Sequence, residues 1–181
     1  MSIRPLALAA LAALVPLAAC GVFGGKSNDP SPALVTSARA SLRDASGGNV
    51  GTASFQQTPA GLLLSADLSG LPPGTHGFHF HAIGQCSPTF DAAGGHFNPT
   101  SRQHGIRNPG GKHVGDLPNV NVPQSGSLRV DLFLADVTLT GANGLLDGDG
   151  ASVVLHALAD DYATDPSGGS GTRIACGVIE R

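Results

Sequence analysis

The chain has 181 residues, a length that fits one domain, and it carries 26 glycines, 13 prolines, one tyrosine and no tryptophan. Only 13% of its residues are charged, and the formal net charge is −3. This excludes a basic surface for nucleic acid, while the Gly and Pro content favours short elements joined by many turns.

Residues 1–19 differ from the rest. The run LALAALAALVPLAA is apolar except for Pro16. It is shorter than the roughly 20 residues a membrane-spanning helix needs, and it fits the apolar region of a signal peptide. It ends in LAAC, Leu17 to Cys20, which resembles the lipobox of bacterial lipoproteins. That resemblance implies lipidation of Cys20, export, and anchoring to a bacterial membrane on its periplasmic or cell-envelope face. An ordinary secretory signal with an incidental cysteine is the alternative. Residues 20–33, rich in Gly, Ser and Pro, read as a flexible tether, and residues 34–181 as the domain. Loss of Arg4 with the leader leaves nine Lys+Arg against 13 Asp+Glu, a balance of −4.

From Leu34 the pattern is short alternating runs broken by turns: LVTSARASLRD, VGTASFQQT, LLLSADLSG, then HGFHFH read as one strand. Strand after strand at about ten-residue spacing predicts an antiparallel sandwich or barrel. Between Ala82 and Gly115 the strand signal stops. A loop that long inside a compact domain needs a function or a fastening other than a core. Strands resume at GDLPNVNV, SLRVDLFLADVTL and ASVVLHAL, and a second loop, ADDYATDPSGGSGT, leads into RIACGVIE. The segment LLDGDGA hints at a calcium loop, but no closing Glu follows, and a polar turn is the reading adopted.

With Cys20 assigned to lipid, Cys86 and Cys176 remain. An exported chain commonly pairs two such cysteines, two buried thiols being the alternative. Pairing would close a loop of 90 residues, worth about 4–5 kcal/mol on the chain-entropy model.

All seven histidines fall between positions 76 and 156. On a strand, His79 and His81 share one face and His76 has the opposite parity. So His79 and His81 can reach one metal, and His76 is assigned a supporting or packing role. The long loop adds His96, His104 and His113, with Asp116 three residues on. Imidazoles with one carboxylate suit zinc or copper. His156, in the apolar run VVLHAL, would be costly there without a partner, and a further ligand role accounts for it.

The strings HGFHFH, CSPTFDAAGGHFNPTSRQHG, HVGDLPNV, VVLHALADD and GTRIACGVI, in that order, resemble the copper/zinc superoxide dismutase family over residues 34–181. The resemblance implies an all-β, eight-stranded antiparallel Greek-key barrel with two long functional loops. It implies copper held by His79, His81, His96 and His156, and zinc held by His96, His104, His113 and Asp116, with His96 bridging. It places Asp160 behind ligands of both metals, Arg173 beside the copper as the group that holds superoxide, and Cys86–Cys176 as the family disulfide. The implied reaction is superoxide dismutation through alternate reduction and reoxidation of copper, with His96 as a proton source and a structural zinc. A non-catalytic exported copper/zinc-binding lipoprotein is the alternative, and the family contains both monomers and homodimers.

This chain departs from many relatives at Ala82, where they carry an acidic residue. Its second loop is short and holds no lysine, so attraction of the anion is expected to rest on Arg173, with a smaller share from Lys112.

Overall fold

Alternation of apolar and polar side chains sets the sheet. In β1 (Ser37–Asp44) the buried residues are Ala38, Ala40 and Leu42, and in β3 (Gly61–Leu68) they are Leu62, Leu64, Ala66 and Leu68. Strand β2 (Asn49–Thr58) lies between them and buries Val50, Ala53 and Phe55. Positions 50 and 53 have opposite parity, so plain alternation cannot bury both. A bulge resolves this: Leu42 faces Gly51 and Arg43 faces Asn49, leaving Val50 as the extra residue. Strand β7 (Leu128–Leu134) closes this side with half-buried Leu128, Val130, Leu132 and Leu134.

These coordinates are a computed structural model that describes residues 36–141 and 143–181. The leader 1–19, Cys20 and the tether 20–33 lie outside the described residues.

The remaining strands are β4 (Gly74–His76), β5 (Phe78–His81), β6 (Val120–Val122), β8 (Ser152–His156) and β9 (Arg173–Val178). Seven strands form one antiparallel sheet in the order β5-β8-β9-β1-β2-β3-β7, and β4 pairs with β6. The described residues contain no α-helix, only a 3-10 turn at Phe90–Ala93. The architecture is the all-β antiparallel one expected, with the sheet curled around the core.

One strand differs from the expectation. HGFHFH is not continuous: His76 ends β4, and Phe78 begins β5 on a different neighbour, β8. The break falls at Gly77, where an added Cβ would lie 2.9 Å from the Ser170 Cβ and 3.1 Å from the His79 ring. Counting β4 and β5 as one interrupted strand recovers the expected eight.

Strand β5 is buried on both faces. Phe78 and Phe80 enter the main core, and His79 and His81 face the other way. Pairing with β8 sets His79 opposite Val154 and His81 opposite Ser152, so His156 lies on the same face as both histidines. The long loops cover that face. A smaller apolar cluster of Ala93, Val154 and Cys176, with Phe90 and Cys86 packed on it, fixes the first loop there. The disulfide Cys86–Cys176 ties the same loop to β9.

Candidate metal centre

Two groups of four donors meet on this face. Ligand atoms of His79, His81, His96 and His156 lie within 4.8 Å of one another, and so do those of His96, His104, His113 and Asp116. His96 belongs to both. Strand β5 supplies His79 and His81, strand β8 supplies His156, and the loop supplies the others. Backbone bridges His81–His96 and His79–Asp116 stitch the loop to β5.

Hydrogen bonds fix which nitrogen of each ring faces inward. His81 Nδ1 donates to Gly94 O (2.9 Å), and His156 Nδ1 donates to Gly171 O (3.1 Å). Their Nε2 lone pairs then face each other at 3.3 Å, an unfavourable approach unless a cation lies between them. His79 Nε2 donates to Asp160 Oδ2 (2.8 Å), which leaves its Nδ1 as a lone pair. His79 Nδ1 and His96 Nε2 are buried with no hydrogen-bond partner, and so is His113 Nδ1, whose 3.2 Å approach to Asp116 Oδ1 lacks hydrogen-bond geometry. Buried polar atoms are normally satisfied, so three orphans beside one cluster fit donors built for metal.

The second group centres on Asp116. Its Oδ1 lies 2.8 Å from His96 Nδ1, 3.0 Å from His104 Nδ1 and 3.2 Å from His113 Nδ1. Its Oδ2 accepts from the backbone N–H of Gly105 (2.8 Å) and His113 (3.0 Å). Three imidazoles and one carboxylate match the tetrahedral donor set of zinc, and four imidazoles suit copper.

Asp160 joins the two groups. Its Oδ2 meets His79 Nε2, and its Oδ1 meets His104 Nε2 at 3.0 Å. His76 has no nitrogen to spare, since Nδ1 faces His156 O (2.8 Å) and Nε2 faces Pro72 O (2.9 Å). It supports the backbone of His156 and is not among the donors.

Burial, reinforced by neighbouring rings, pushes His81 down to about 2 and His156 to about 3. Burial also lowers His96, against the pull of Asp116, to about 4. These rings are neutral at pH 7, as metal ligation requires. His104 behaves oppositely: burial disfavours its charge, but Asp116 and Asp160 overcome that and raise it to about 9. A metal on its Nδ1 must displace a proton. Burial opposes ionisation of Asp116 and Asp160, yet bonds from the histidines hold both below the usual carboxylate range.

Arg173 stands opposite His156 in the β8–β9 pairing. It donates to Phe90 O (2.5 Å) and Gly94 O (2.6 Å), so the loop that supplies His96 also aims the guanidinium. Burial lowers its pKa and Asp91 acts the other way, and an arginine stays charged at neutral pH. Lys112 differs from the expectation. Its ammonium is paired with Asp136 at 2.8 Å, so it is not the free cation expected.

Several supporting residues escaped the sequence reading. Asn119 holds the Asp160 backbone from both sides, donating to Asp160 O and accepting from Asp160 N–H, each at 2.8 Å. Tyr162 N–H donates to Asp160 Oδ1 (2.6 Å), and its hydroxyl accepts from Asn119 N–H (2.7 Å). Asp165 accepts from His104 N–H (2.5 Å). Ser170 Oγ, fully buried, lies 3.1 Å from His156 Nδ1. Asn119 sits inside HVGDLPNV and Tyr162 just after ADD, but no spacing rule marks either as a clasp.

A curled antiparallel β-sheet whose loops bring two four-donor groups together around one shared histidine defines a β-barrel metalloprotein of the dinuclear kind. The family model for copper/zinc superoxide dismutase matches residues 49–179, and the chain belongs to that family. It is 42% identical over 146 residues to "Superoxide dismutase [Cu-Zn] 2" of Aquifex aeolicus, covering 78% of this chain and 85% of that protein. It is 40% identical over 180 residues to the superoxide dismutase [Cu-Zn] of Deinococcus radiodurans, covering 92% and 95%. Among solved structures, a SOD-like protein from Bacillus subtilis superposes with a TM-score of 0.74 at 39% identity, covering 77% of this chain and 96% of that one.

Proposed function

We infer that the protein dismutates superoxide: two superoxide ions and two protons give O2 and H2O2. The observation that carries this reading is the shared histidine, His96, between two donor groups whose inward ring nitrogens His79 Nδ1, His96 Nε2 and His113 Nδ1 are buried and unpaired. His79, His81, His96 and His156 would hold copper, and His96, His104, His113 and Asp116 would hold zinc. Copper supplies the one-electron couple that oxidises one superoxide and reduces the next, while zinc orders the loop.

The chain's own residues do the rest. Arg173, beside His156 and held by two loop carbonyls, binds and orients the anion. His96 Nε2, buried with its Nδ1 on Asp116, takes up a proton at that atom and releases it toward the reduced substrate. Asp160, through His79 and His104, keeps the two donor groups in register.

The test is metal analysis of the purified domain combined with superoxide consumption. His79→Ala should lose copper and turnover while zinc and the folded barrel remain. Full activity with normal copper in that variant would end the assignment of this strand to copper. An exported copper/zinc carrier without turnover, the competing reading, predicts stoichiometric metal and no consumption.

We also propose that Cys20 is lipidated and anchors the protein to a bacterial membrane, facing the periplasm or cell envelope. The LAAC string after an apolar leader supports this. Mass spectrometry of the native N-terminus should find a modified Cys20, and an unmodified N-terminus at any other residue would refute it.

A further inference from the structure

Asp91 stands on the 3-10 turn whose flanks aim Arg173. Phe90 O and Gly94 O, on either side of it, are the two acceptors of the guanidinium. Asp91 and Arg173 line the same pocket of about 370 Å³, with Thr89, Gly171 and Thr172. Several exposed carboxylates are occupied: Asp136 by Lys112, Asp67 by Arg129, Asp161 by Thr164. Asp91 is exposed and has no such partner among the described residues. Its carboxylate therefore stands in the same pocket as the Arg173 guanidinium. Arg173 and Asp91 are the two charged residues that line this pocket.

A fixed negative charge acts on an incoming anion in proportion to that anion's charge. Arg173 alone would favour a dianion over a monoanion, because its attraction doubles with the charge. Asp91 opposes the dianion twice as strongly as the monoanion. We propose that Asp91 lowers the preference of the Arg173 pocket for dianions such as sulfate and hydrogen phosphate over small monoanions such as superoxide. This rests on the reading of Arg173 as the substrate-holding group. Asp91 touches neither substrate nor donor atoms and is a specificity-determining residue.

The test compares wild type with Asp91→Asn, an exposed and nearly isosteric change, as the reduced, metal-loaded protein. Azide serves as the monoanion probe and sulfate as the dianion. Binding of each is followed by the NMR shift of the Arg173 Nε–H at constant ionic strength, a readout independent of turnover. Asp91→Asn should raise azide affinity by about 2–4-fold and sulfate affinity by about the square of that, roughly 4–15-fold. Asp67→Asn, three strands from β9 in the sheet, should change neither. Unchanged affinities in Asp91→Asn, or equal fold-changes for the two anions, would overturn the inference while leaving Arg173 in its role. If the wild-type Arg173 resonance answers neither anion, the reading of Arg173 fails and the selectivity inference falls with it.

Discussion

Asp160 is the residue through which the two donor groups are coupled. One oxygen takes the His79 ring and the other the His104 ring, and Asn119 and Tyr162 fix the carboxylate in place. No side chain fits at Gly168, because its Cβ would run into the Asp160 carboxylate and its φ of +64° is strained for other residues. Asp160→Asn keeps the shape and removes one acceptor, so both rings lose definition. Affinity for copper and for zinc should each fall by about 10–100-fold, measured by chelator competition on the folded variant. Loss of one metal alone would show that Asp160 does not couple the groups. Much of this scale was legible: the i, i+2 spacing of His79 and His81 put both rings on one face. The inward nitrogen of each ring was not legible, because it depends on carbonyls and carboxylates distant in sequence, such as Gly94 and Gly171 for His81 and His156. The clasp of Asn119 on Asp160 was hidden for the same reason, since the two lie on separate elements and meet only in the fold.

At the scale of elements, the loop from Ala82 to Gly115 has no core of its own and is held at a few points. These are the Cys86–Cys176 bond, the small cluster around Ala93, the backbone bridges to β5, and the carboxylate of Asp116. Asp116→Ala frees the backbone N–H groups of Gly105 and His113 and removes the only carboxylate of its donor group. The variant should lose zinc and expose the loop to limited proteolysis, with the sheet retained by circular dichroism. Unchanged protease resistance would mean that zinc and Asp116 are not what fastens the loop. The need for a fastening was readable from the missing strand pattern across 82–115. The division of HGFHFH was not, because β4 and β5 pair with different strands, β6 and β8, and which strand pairs with which is set by residues distant in sequence. Likewise Lys112 beside His113 read as a free cation, and its partner Asp136 lies in a turn that spacing did not connect to it.

Apart from His76, the buried titratable groups among the described residues gather on one face of the sheet, and metal-free stability should follow them. His81, His96 and His156 have pKa values of about 2, 4 and 3, below the ordinary 6.5. As pH falls below 6.5 the unfolded chain takes up protons these rings refuse, so the folded state loses stability. His104, raised to about 9, contributes stabilisation that is full below 6.5 and is lost as pH rises toward 9. Denaturant unfolding of the metal-free domain should therefore peak near pH 6.5 and fall more steeply on the acid side, where three rings act, than on the alkaline side, where one does. A flat profile from pH 4 to 9 would contradict the burial of these rings. Charge over the molecule also bears on catalysis. The formal net charge of −3 opposes an anion at long range, and in the proposed function Arg173 would supply the attraction at short range. Superoxide decay after pulse generation, followed with copper- and zinc-loaded wild type and Arg173→Ala, tests the function most directly. Decay should accelerate in proportion to bound copper, and Arg173→Ala should slow it by about 10-fold or more with its metal content unchanged. Stoichiometric copper and zinc in the wild type with no acceleration of superoxide decay would contradict the assignment of this chain as a superoxide dismutase.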